Sequence, residues 1–306
     1  MSDTEPIITI AGSPFDDTAA DVILQSSDNI HFYFHKLLLS LASPIFADMF
    51  TLPQPSGKCD NPRHVVSVSE DSETLRRLLQ WYDPRCTPQW ESVEDVLVIL
   101  EAADKYCMDK AMKLVGNILL HSTSFVEREP MKVFALAVRY RLGDVAQMAA
   151  KCTLRFTWEE QIECTTPELE HIPGTILQQL GVYQLSCKRA AQQVATDLTW
   201  LVNLQSSNLD AVCWQRSRHG CPTKRKFDKD WRKWFLDYME FIRAKVYNRP
   251  SGTTIVPEFI DPEVNNIDVG CPTCKEVAGT ELLKINRILI EEIDKIISEI
   301  PFGLIY

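Results

Sequence analysis

Apolar and polar positions alternate at the start of the chain and then change period. Asp21-Val22-Ile23-Leu24-Gln25 reads as a strand, Ser26-Ser27-Asp28-Asn29 has turn chemistry, and Ile30-His31-Phe32-Tyr33-Phe34-His35 reads as the returning strand of a hairpin. From Lys36 to Phe50 the apolar positions Leu37, Leu38, Leu41, Ile45, Met49 and Phe50 fall at helical spacing. Ser43-Pro44 divides this run into two short helices, because proline suits a first helical turn and serine the cap before it. Phe34, Leu37, Leu38, Ile45, Phe46 and Met49 are the expected core of this part. A loop over 51–63 leads to a third strand, His64 to Val68.

Helical patterns then dominate. Asp71 or Ser72 caps a predicted helix from Glu73 to Tyr82, with Leu75, Leu78 and Leu79 inward and Asp83-Pro84 ending it. Ser92 and Asp95 have the spacing of a capping box before a helix over Val93–Tyr106, whose expected buried face is Val93, Val96, Leu97, Leu100 and Ala103. Further helices are predicted over 108–120 and within 129–160, and one long helix over 176–204. A final stripe, Leu282, Ile285, Leu289, Ile293, Ile296 and Ile300, steps by three or four residues as one helix face does. The stretch 1–14 is polar, punctuated by proline and glycine, and is expected to be a mobile N-terminus.

Composition narrows the class. With 306 residues, 45% of them hydrophobic, the chain can bury a sizeable core. A net charge of −10 argues against a main role in holding a phosphate backbone, which requires many cations. The first residues carry Asp3 and Glu5 in place of a basic, apolar leader, and the apolar stripe over 282–300 is interrupted by Lys284, Arg287, Glu291, Glu292, Asp294 and Lys295. These features predict an intracellular protein, cytoplasmic or nuclear, neither secreted nor membrane-bound. In such a compartment the ten cysteines are expected as thiols or metal ligands.

More specific wording lies within the first third. Asp21-Val22-Ile23-Leu24, Phe34-His35-Lys36-Leu37-Leu38-Leu39, Ser43-Pro44-Ile45-Phe46 and Met49-Phe50 resemble the BTB (POZ) domain, whose pattern is an Asp-led strand, His-Lys/Arg opening a helix, and Ser-x-x-Phe leading to Met-Phe. Ala47 to Pro55 and the tail, with its tryptophans and late Cys-x-x-Cys, are similar to BTB proteins of filamentous and mushroom-forming fungi. The resemblance implies a small mixed sheet covered by helices, a protein–protein interaction role and homodimerisation. It places Asp21 and Lys36 at a charged pocket beside the dimer groove, and makes Met49, Phe50 and Leu52 partner-binding candidates. Family members that recruit a cullin carry an apolar-x-Glu motif after the Met-Phe helix. The matching Leu52-Pro53-Gln54 lacks the glutamate, which weighs against a ubiquitin-ligase adaptor.

Two other patterns carry chemistry. Cys271-Pro272-Thr273-Cys274 has the spacing of one half of a tetrahedral zinc site, and Cys213, His219 and Cys221 are the candidates for the other half, four of the five at most. One structural zinc ion is the expected cofactor; a pair of free thiols and a redox pair are the alternatives. The run Arg216 to Lys233, lying among Trp214, Phe227, Trp231 and Trp234, has the residue types that stack bases and meet phosphates, but the acidic chain as a whole favours a solvated helix face whose aromatics pack inward. No phosphate-cradling glycine motif, nucleophile elbow or zinc-protease motif is present, and no catalysis is expected.

The resulting expectation is an α+β protein. A flexible segment 1–14 precedes a BTB/POZ domain over 15–123, a helical extension over 124–204 and a helical, Trp-rich, zinc-stabilised region over 205–306. Its function is self-association and partner recruitment. A cullin adaptor and a chromatin-linked or nucleic-acid-associated regulator are the alternatives.

Overall fold

The computed structural model describes residues 9–52, 63–88, 92–121, 123–164, 166–203, 227–228, 231–255 and 272–303. In chain order the elements are strands β1 (Thr9–Ile10), β2 (Val22–Gln25) and β3 (Ile30–Phe34), helices α1 (Lys36–Ala42) and α2 (Pro44–Thr51), and strand β4 (His64–Ser67). Helices α3 (Ser72–Gln80), α4 (Val93–Lys105), α5 (Asp109–His121), α6 (Thr123–Arg128), α7 (Pro130–Arg139), α8 (Gly143–Thr153) and α9 (Trp158–Glu163) follow. Then come α10 (Gly174–Thr196), α11 (Thr199–Asn203), the short strands β5 (Phe227–Asp228) and β6 (Trp231–Arg232), α12 (Lys233–Asn248) and α13 (Pro272–Ser298). Two compact units emerge, one from Met1–Glu129 with Val133–Met148, the other from Pro130–Lys132 with Ala149–Tyr306.

The first unit is built on a mixed sheet of order β1-β3-β2-β4. The hairpin β2–β3 is antiparallel, with Val22 opposite Phe34 and Leu24 opposite Phe32, so both strands send these side chains to one face. Asn29 takes a positive φ of 61° in the turn, a conformation asparagine tolerates well. Strand β4 joins β2 in parallel, and β1 joins β3 in parallel. Thr9–Ile10, which falls in the stretch expected to be mobile, is therefore part of the sheet, and Ala11 extends it by donating its N–H to the His31 carbonyl at 2.9 Å. Strands this short carry too few alternating positions to be read from sequence.

Under the sheet lie Phe15, Phe32, Phe34, Leu39, Phe46, Leu75, Leu78, Leu79 and Tyr106. Ser43 separates α1 from α2 as expected. Its hydroxyl accepts the Phe46 N–H at 3.1 Å and donates to the Tyr106 carbonyl at 2.6 Å, tying the helix pair to the end of α4. Asp71 caps α3 through the Thr74 N–H, and Ser92 and Asp95 form the reciprocal capping box of α4. Arg77 then bridges Asp95 and Glu73, joining α3 to α4. On α4 the buried face is Val93, Val96, Ile99, Leu100, Ala102 and Ala103, while Leu97 is only half-buried.

The second unit is helical around α10, which packs against α12 and α13. The helix predicted over 176–204 stops at Thr196. Asp197 leaves the helical backbone, and its carboxylate accepts the Thr199 N–H at 3.1 Å, so the chain restarts as α11. The C-terminal stripe is buried at Leu282, Ile285, Leu289 and Ile293 as expected. It continues at Ile297, with Ile296 half-buried and Ile300 beyond the helix end. Inside, the Tyr238 hydroxyl donates to the buried Asn286 side chain, joining α12 to α13. A 3-10 turn at Gly252–Thr254 docks on α13 by donating the Gly252 N–H to Asp294 at 3.0 Å.

Candidate interaction surface

Helix α1 has only seven residues, and its single buried side chain is Leu39. A rotation of about 100° per residue puts Leu37 and Leu41 nearly opposite Leu39. Both face solvent, at 69% and 77% exposure. The expectation that Leu37 belongs to the core is thus overturned. Three consecutive leucines cannot all point inward from one helix, and packing selects Leu39. Leu38, Ile45, Met49 and Phe50 are half-buried and pack against the core, while Phe34 and Phe46 are buried as expected.

The two charged candidates meet at the start of this helix. His35 occupies the N-cap position but makes no side-chain cap. Asp21, from the residue before β2, supplies it: its carboxylate accepts the Lys36 N–H at 2.8 Å. A negative group at a helix N-terminus is favoured both by the unpaired N–H groups and by the helix dipole. The Lys36 ammonium lies 5.8 Å from the centre of the Phe50 ring, and His64 meets the same ring edge-on at 5.7 Å. Partial burial, with Lys36 nearby, holds the His64 pKa below the usual imidazole value.

A second charged group was not singled out in the sequence. Arg85 pairs with Asp83 at 2.8 Å and Asp17 at 3.5 Å, and Asp17 stands 3.8 Å from His35. The Arg85 guanidinium holds the buried Asp83 carboxyl below the usual carboxylate range. Only the folded chain assembles these residues, which are spread from 17 to 85 with no recurring spacing.

Of the other candidates, Leu52 is exposed at the C-terminal end of α2. Cys213, His219, Cys221 and Cys271 lie outside the described residues, as does the side chain of Cys274 and most of the basic run 216–233. Among the described residues no helix is long and apolar enough to cross a membrane.

This arrangement offers an apolar helix face with charged residues at its N-terminal end. No curated protein matches the chain at a significant level. Residues 14–123 match the family model of the BTB/POZ domain. With its small mixed sheet covered by helices, this part of the chain is a BTB/POZ domain, a non-enzymatic fold that mediates protein–protein interaction.

Proposed function

We propose that the BTB/POZ domain of this protein joins two copies of the chain through the α1 face. The observation that carries this reading is the exposure of Leu37 and Leu41 on a helix whose remaining leucines pack inward or lie half-buried. Two large apolar side chains one turn apart are favourable to cover and unfavourable to leave in water. In a two-fold contact the same patch meets itself, so one helix supplies both halves. Asp21 and Lys36 lie at the N-terminal end of that helix, where Asp21 fixes the entry of the chain through its bond to the Lys36 backbone.

Replacing both leucines, as Leu37→Glu with Leu41→Glu, places charges on this face without touching the core. Light scattering is expected to give twice the 35.0 kDa chain mass for the native protein and a single chain for the variant, with the same helical content in both. An equal mass for the two proteins rules out this face.

The exposure of Leu52 beside half-buried Met49 and Phe50 supports a second reading, recruitment of a cullin. Titration against the N-terminal domain of a BTB-binding cullin decides it. Saturable binding lost in Leu52→Glu supports the adaptor role, and no binding at tens of micromolar removes it.

A further inference from the structure

Helix α9, in the second unit, has its polarity reversed. Its buried residue is Gln161. The Gln161 amide donates to the Thr153 and Phe156 carbonyls, both at 3.1 Å, and its oxygen accepts from the Gln184 amide at 2.6 Å. Gln184 in turn reaches the Thr153 hydroxyl at 2.9 Å. This satisfied polar network fixes which side of α9 faces inward. The opposite end of the helix is held by a reciprocal capping box between Thr157 and Glu160.

With Gln161 turned inward, the apolar residues are left outside: Trp158 is 46% exposed and Ile162 63% exposed. They lie four residues apart and so share one face. Glu159 and Glu163 form a parallel stripe beside them, also exposed and also four apart. From 156 to 187 the chain has five glutamates and neither lysine nor arginine. Within this stretch Glu160 is held by Arg249 at 2.6 Å and Glu168 faces Lys132 at 3.9 Å. Glu170 is exposed beyond the helix, and on α9 itself Glu159, which also feels the charge of Lys188, and Glu163 border the Trp158–Ile162 pair.

We propose that this face of α9 docks a cationic, apolar-bearing segment of a partner protein. A tryptophan is well suited to anchor such a contact, since it covers a large area at little entropic cost and its ring face attracts cations. The glutamate stripe selects the sign of the partner. A second copy of this chain fits poorly, because a two-fold contact would set Glu159 and Glu163 against themselves. Anionic lipid and nucleic acid are repelled by the same charges. The α9 face belongs to the second unit and the α1 face to the first, and the proposal does not depend on self-association.

The test uses the full chain and a fluorescein-labelled synthetic amphipathic helix of leucine and lysine, with a leucine–glutamate counterpart as control. Fluorescence anisotropy is expected to show saturable binding of the lysine peptide alone. That binding should weaken at least tenfold in Trp158→Ser with Ile162→Ser, and again in Glu159→Gln with Glu163→Gln, the latter change shrinking at high salt. Equal binding by native and substituted chains, or no binding by the native chain, overturns the proposal. So does a melting temperature several degrees lower in the Trp158→Ser/Ile162→Ser chain, which would mean the chain itself covers the pair.

Discussion

At Ser43 an extended backbone, φ −147° and ψ 121°, lets one hydroxyl serve two partners. It caps α2 and satisfies the Tyr106 carbonyl inside the core, and the residue is fully buried. Ser43→Ala removes the cap and leaves a buried carbonyl without its donor, so a loss of about 1–3 kcal/mol is expected in denaturant titration. A loss within error would show that the junction does not depend on this hydroxyl. Gly252 illustrates a steric requirement. A Cβ there would meet the Asp294 carboxylate at 2.7 Å and Ile290 at 2.8 Å. Gly252→Ala should cost about 1–3 kcal/mol by forcing the turn away from α13, read as a lower denaturation midpoint.

Asp83 and Arg85 give a residue-scale prediction with a sign. Arg85 is the first cause of the depressed Asp83 pKa, ahead of the opposing effect of burial. A carboxyl depressed in the folded state stabilises the fold fully above its ordinary value near 3.8, and that contribution fades as pH falls through the lower folded value. Arg85→Ala should raise the Asp83 pKa and shift the acid-unfolding midpoint to higher pH. An unchanged midpoint contradicts the pairing.

At the scale of elements, the strands and helices whose caps and turns are local were legible in the sequence. Ser43-Pro44, Asp71 and the Ser92–Asp95 box each state their geometry within three residues. What depends on distant partners was not legible. Strand β1 exists because β3 offers an open edge. Helix α1 turns Leu39 inward because the core accepts that side chain, and Leu37 and Leu41 are exposed in consequence. Helix α10 ends where Asp197 prefers to bond the backbone two residues on, a choice that the apolar periodicity beyond it conceals. Of the candidate surface, the sequence supplied Asp21, Lys36, Met49, Phe50 and Leu52, while Asp17 and Arg85 became visible only in the fold. Ser92→Ala tests the local part of this account. Loss of half the α4 capping box should cost about 0.5–2 kcal/mol, and no change in the unfolding midpoint would mean that tertiary packing alone positions α4.

At the scale of the whole molecule, the two units offer different surfaces. The BTB/POZ unit presents leucines on α1, and the helical unit presents a tryptophan and an isoleucine rimmed by glutamate on α9. Joining two chains through the first would bring two copies of the second into one assembly, and linked sites bind a partner with paired sites more tightly than either does alone. The net charge of −10 fits this division. It keeps chains apart except where apolar surface outweighs repulsion, and it favours cationic partners elsewhere.

Sedimentation equilibrium of the intact chain over a wide concentration range tests the central claim most directly. The account predicts a mass of two 35.0 kDa chains at micromolar concentration, little changed by salt because the contact is apolar. A mass of one chain at every concentration up to tens of micromolar would contradict it.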